Sequence, residues 1–200
     1  MFFKSYSEKL WGITCDALDA DFGGRLDGVV VNAGGPPAGK ALELSDEQWE
    51  QSYQLLLGGP LRLLKALVPK MDRGGAILFI TSTSVRQPIP NLDTSNVLRP
   101  GVAALAKTLA RELAPAIRVN SLAPGRFDTD RIRQLDAGRA EATGMSLEEI
   151  AAESSRTIPF GRYGEPIELG RFGAFLLSPA ASYVSGLNAH VDGAMVTALP

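Results

Sequence analysis

The amino-acid sequence predicts an α/β domain: a parallel sheet with helices on both faces. Three observations carry this. Short apolar runs, "VVVNAGG", "AILFITS", "IRVNSLAPG" and "LNAHVDGA", are separated by segments with helical spacing. The first runs scarcely alternate, as expected of strands buried on both faces. Strands that alternate with helices close into a parallel sheet, here of about four strands. In such sheets ligands bind beyond the carboxyl ends of the strands, which here begin at Asn32, Ser82 and Pro124.

The elements follow in order. Ser5 with Glu8 reads as a capping box starting a helix to about Phe22, with Leu10, Trp11, Ile13 and Leu18 at helical spacing. "GRLDG" turns the chain into the Val run. A long Leu-rich helix is expected from Asp46 to Met71, kinked at Gly58-Gly59-Pro60 because proline cannot continue the ladder. Arg99 to Leu113 forms an amphipathic helix after the second strand. "DTDRIRQLDAGRAEATGM" is polar and loosely patterned, a lid-like insertion extending over residues 128–157 of a single 1–200 domain. Ser146 with Glu149 opens a short helix, and Pro166 starts another that runs to about Leu177.

Composition excludes several classes. The net charge is -2 with no basic block, which gives nucleic acid or an anionic membrane nothing to hold. No apolar run approaches the roughly 18 residues of a membrane span. "MFFKSYSEKLW" lacks a signal-peptide apolar stretch, so a reducing cytoplasm is the expected compartment. The single cysteine, Cys15, excludes an intrachain disulfide and a cysteine metal cluster. The single histidine, His190, sits in a strand pattern and reads as structural, so no metal site is expected. "GGPPAGKA" at 34–41 nearly matches a phosphate-binding loop, but Pro36 and Pro37 remove two backbone donors and Ala41 has no hydroxyl. No Gly-rich dinucleotide turn follows any strand.

Several segments together resemble the short-chain dehydrogenase/reductase family. They are "VNAGG", "ITS", "SNVLRPGVAALAKTLARELAP", "IRVNSLAPG" with Thr129, "IPFGRYGEP" and "SYVSGLNAHVDGAM", in that order from about residue 20 to the C-terminus. The resemblance implies a Rossmann-like domain, NAD or NADP as cofactor, and interconversion of a small-molecule alcohol and carbonyl by a homodimer or homotetramer. It also implies that the family's first strand, Gly-rich turn and following elements are missing, so that this chain binds either a nicotinamide cofactor or none. By position it assigns Ser82, Ser95 and Arg99 to the catalytic set. It assigns Asn32, Ala33, Gly34, Arg99, Pro124, Gly125 and Thr129 to the cofactor. The family's tyrosine position falls on Ser95, its lysine on Arg99 and its asparagine on Leu56, while its serine stands as Ser82.

Those replacements have a chemical cost. A phenol titrates near pH 10, and a neighbouring cation brings it toward neutrality; a serine hydroxyl is shorter and far less acidic. Arginine keeps a fixed fork of donors for a ribose hydroxyl. Tyr53, one turn before Leu56, either points a phenol at the site or packs in the core. Each assigned residue also has a plain reading: Asn32 caps a strand end, Pro124-Gly125 makes a turn, and Thr129 orders the insertion. Two functions stay open: an oxidoreductase with an altered proton donor, and a non-catalytic homologue that binds or assembles.

Overall fold

A computed structural model describes residues 24–198. The helix expected before Phe22, and Cys15 with it, lie outside the described residues. Four strands form one sheet in the order β1 (Leu26–Val31), β2 (Met71–Ile80), β3 (Ile117–Pro124) and β4 (Asn188–Val191), every pair parallel. All the predicted strands are present, and β2 starts at Met71 rather than Ala76.

Both faces of β2 and β3 are covered, whereas β1, expected to be buried on both faces, alternates: Val29 and Val31 are buried and Val30 is 51% exposed. Period-2 alternation sends Ile77 and Phe79 of β2 to one side and Leu78 to the other. Val29, Val31 and Val119 join the first side, against Leu56, Leu64, Val102 and Ala106 from the helices. Leu122 joins the second side, against Leu176. Phe79, Val119 and Leu122 are each 0% exposed, so these strands have no solvent face to carry polar residues. Each such side chain contributes about 1.5–3 kcal/mol by its burial.

The long helix is continuous but not regular. It consists of α1 (Asp46–Tyr53), a π-helical turn (Gln54–Gly58) and α2 (Gly59–Leu67). The irregularity therefore falls just before Gly59-Pro60. Proline supplies no N–H, and a Cβ at Gly59 would come within 2.7 Å of the Gln54 carbonyl oxygen, so glycine is required where its N–H closes the wide turn onto that carbonyl. Ser45 and Gln48 cap α1 reciprocally, at 3.2 and 2.9 Å.

The helix after β2 begins earlier than its apolar spacing implied. α3 runs from Asp93 to Glu112, so Ser95 and Arg99 both sit in its first two turns. Asp93 and Thr94 fix its start: Asp93 Oδ2 accepts the Ala41 N–H at 2.9 Å, and Thr94 Oγ1 donates to the Pro37 carbonyl at 3.2 Å. The polar segment after β3 is a helix, α4 (Asp130–Thr143), not an irregular loop. Thr129 caps it, and Gly144 ends it with a left-handed φ of 73°. α5 (Leu147–Arg156) carries the expected Ser146–Glu149 capping box. α6 (Pro166–Leu177) starts at Pro166, and its last carbonyls accept from Arg118 of β3 at 2.7 and 3.2 Å. Among the described residues no helix is long and apolar enough to cross a membrane.

Candidate functional site

The carboxyl ends of β1, β2 and β3 lie side by side, and one side chain ties two of them together. Arg99 donates from Nη1 to the Ile80 carbonyl at 2.7 Å, at the end of β2. From Nη2 it reaches the Ala33 and Gly34 carbonyls at 3.5 and 3.4 Å, in the loop after β1. Spacing brings it there: one turn after Ser95 on α3, its stem enters the crevice above β2. Arg99 is 8% exposed, and its Nε has no hydrogen-bond partner. Desolvation by burial brings its guanidinium down to about 10, still charged at neutral pH.

Ser82, two residues beyond β2, has extended backbone and caps a short turn, where its Oγ accepts the Ser84 N–H at 3.1 Å. Its own O–H is thereby available as a donor. Ser95 is buried and lies 3.2 Å, oxygen to oxygen, from Ser84. The structure thus pairs Ser95 with Ser84, a residue that the spacing did not single out. Leu56 is 1% exposed and packs in the core beside the helices. Tyr53 is exposed on α1.

The other assigned residues surround the same edge. Asn32 and Gly34 are exposed, and a Cβ built on Gly34 meets no atom within 4 Å, so the space beside it is open. Pro124 closes β3, and Gly125 follows with its N–H donating to the Val191 carbonyl at 2.9 Å. Glycine is required there, because a Cβ would come within 2.7 Å of Asp192. The Thr129 hydroxyl accepts the Ile132 N–H at 3.4 Å, as an N-cap. His190 of β4 is partly buried, and its Nε2 has no partner.

The motif spacing also missed a network behind the turn. Asp136 of α4, 6% exposed, accepts from Arg126 Nη1 at 2.8 Å and from the Tyr163 hydroxyl at 2.7 Å. Burial, first, raises the Tyr163 pKa. The one hint in sequence was an aspartate on the apolar side of a helix pattern. Beside this network a cavity of about 120 Å³ is lined by Arg126, Phe127, Phe160 and Arg162 among others. It is smaller than the few hundred Å³ of a usual ligand cleft.

This architecture, a parallel sheet with helices on its faces, is a Rossmann-like α/β fold. The chain belongs to the short-chain dehydrogenase/reductase family: residues 8–195 match the family model described as enoyl-(acyl carrier protein) reductase. It is 33% identical over 174 residues to human dehydrogenase/reductase SDR family member 4, covering 85% of this chain and 59% of that protein. The chain therefore spans about three fifths of that relative's length. It superposes on the ligand-free aldohexose dehydrogenase of Thermoplasma acidophilum with a TM-score of 0.90 and 26% identity, over 98% of this chain and 77% of that one. An NADPH-bound short-chain oxidoreductase of Pseudomonas aeruginosa, described as containing an atypical catalytic centre, gives a TM-score of 0.85 and 27% identity, over 97% and 74%.

Proposed function

We propose that this chain is an NAD(P)(H)-linked oxidoreductase acting on a small carbonyl or alcohol, with a reworked proton path. One observation carries the reading: two residues beyond β2, Ser82 keeps a hydroxyl free to donate, and Arg99 holds the last β2 carbonyl, at Ile80. The edge fits the nicotinamide half of such a cofactor. The space next to Gly34 is open, and Arg99 carries a buried donor without a partner. Asn32, Ala33 and Gly34 would line one side, Pro124, Gly125 and Thr129 the other, and Arg99 would face the ribose. The cofactor when bound supplies or accepts the hydride.

The chain's own residues do the rest. Ser82 donates to the substrate oxygen and orients it. Arg99 raises the local positive potential, which favours negative charge on that oxygen as it develops. Ser95 supports the Ser84 turn from below rather than reaching the substrate. With no phenol at the tyrosine position, the product oxygen takes its proton from water, so turnover is slow. A homodimer or homotetramer accompanies this reading, and sedimentation tests it.

A second reading has its own support. The Ser84–Ser95 contact and the three carbonyls bound by Arg99 are a stable packing arrangement that needs no reaction. It describes a non-catalytic homologue. Titration with NADH and NADPH, followed by cofactor fluorescence, separates the two. Saturable binding with slow carbonyl-dependent loss of NAD(P)H absorbance supports the oxidoreductase; saturable binding without turnover supports the homologue. Absence of binding at about 1 mM, the weak end of ordinary affinity, ends the first reading for this chain.

A further inference from the structure

Arg131, in the first turn of α4, crosses from the β3 side of the crevice to the β1 side. Its Nη2 donates to the Pro36 carbonyl at 3.2 Å. Its guanidinium lies flat over Gly35: a Cβ there would come within 2.9 Å of Nε and 3.1 Å of Cζ. One residue earlier, the Gly34 carbonyl accepts from Arg99. Two guanidinium groups therefore hold four consecutive residues, 33–36, and the open space beside Gly34 adjoins both.

What joins these two arginines is one loop, residues 33–36; the lack of a carboxylate partner they share with Arg62, Arg111 and Arg118. Arg126, Arg133, Arg139 and Arg162 each pair with a carboxylate. Among the described residues Arg99 and Arg131 pair with none. Arg99 is also more than nine-tenths buried with an unbonded N–H. A backbone carbonyl is a weaker partner for a guanidinium than an ionised oxyanion. Two cations without a carboxylate partner at one loop raise its potential and favour an anion there.

We infer that residues 33–36 with Arg99 and Arg131 form an oxyanion site, in which Arg131 exchanges the Pro36 carbonyl for a phosphate or carboxylate oxygen of the ligand. The inference uses the same edge as the proposed function and adds the ligand's charge and the residue that reads it.

The test is calorimetric titration of the full chain at low salt with inorganic diphosphate and, separately, with malonate. Wild type, Arg131→Met and Arg131→Lys are compared, with Arg111→Met at the opposite end of α3 as the control for net charge. Loss of one charged hydrogen bond predicts that Arg131→Met weakens the bound anion at least about fivefold, with Arg131→Lys between and Arg111→Met unchanged. Tighter diphosphate assigns a phosphate-bearing ligand, and tighter malonate a carboxylate one. Equal affinity in Arg131→Met, equal losses in Arg131→Met and Arg111→Met, or no binding of either anion at about 10 mM overturns the inference. Arg131-dependent anion binding without NADH or NADPH binding would remove the cofactor reading and leave this one. NADPH binding by a chain whose anion affinity ignores Arg131 would do the reverse.

Discussion

Ser84 Oγ lies 3.2 Å from Ser95 Oγ, so the hydroxyl that stands in the family's phenol position is already engaged within the protein. The contact belongs to a buried pair, and its loss should be felt in stability rather than in chemistry. Ser95→Ala is expected to cost about 1 kcal/mol, as for one neutral buried hydrogen bond. Urea unfolding measures it. Any carbonyl reduction should stay within about threefold of wild type, a change well under 1 kcal/mol in the barrier. A loss of turnover much larger than the loss of stability would put Ser95 back among the reacting groups.

Arg99 joins strand ends. Arg99→Met removes donors from the Ile80, Ala33 and Gly34 carbonyls at once. The expected cost is about 2–4 kcal/mol, since buried acceptors lose a charged partner together. Arg99→Lys should recover only part, because an ammonium is a point charge and cannot span the two loops. The midpoints of urea denaturation rank the three proteins. In NAD(P)H titrations Arg99→Ala should weaken binding by at least about 1 kcal/mol, and unchanged affinity would remove Arg99 from the cofactor site.

Tyr163 and Arg126 converge on one carboxylate. Tyr163→Phe should cost about 1 kcal/mol, whereas Asp136→Ala should cost about 2–3 kcal/mol because it also strands Arg126. The double variant should cost little more than Asp136→Ala alone, since the hydroxyl then keeps only the long bond it accepts from Arg126 Nη1 at 3.4 Å. A thermodynamic cycle from denaturant midpoints checks that coupling.

Glu168 gives a pH signature. Its hydrogen bond with Arg162, first, and that with the Glu165 backbone bring its carboxyl down to about 2 from an unfolded value near 4.5. A depressed folded value means stability that is complete above pH 4.5 and fades as pH falls toward 2. Glu168→Gln should therefore lower the melting temperature at pH 7, and the gap from wild type should narrow through that acid window. A constant gap would show that the pairing contributes nothing.

The four strands and most helices were readable because one strong signal made each. β1 and β2 show as unbroken apolar runs, and Ser146–Glu149 and Pro166 mark helix starts through the orphan N–H groups they satisfy or avoid. α4 was missed as a helix because its apolar stripe is thin: its buried residue is Asp136, paired rather than apolar. α3 was started too late because its first turn is held by long-range bonds from Asp93 and Thr94 to residues 37–41, which no local pattern reports. At the site, the register of Ser82, Ser95 and Arg99 was visible from spacing. Their partners were not, since Ser84 meets Ser95, and the Ile80, Ala33 and Gly34 carbonyls meet Arg99, only through the fold.

The π turn at Gln54–Gly58 acts as a phase shift within one long helix. An extra residue in a turn rotates everything after it by about 100° relative to everything before. α1 and α2 thus keep one axis while presenting separately set faces. Leu56 falls inward, and downstream Leu64 and Leu67 meet the sheet on a stripe that α1 alone could not extend. Removing a single residue from this turn would make a better helix locally and a worse protein, because it would swing Leu64 and Leu67 away from Phe79 and Val119.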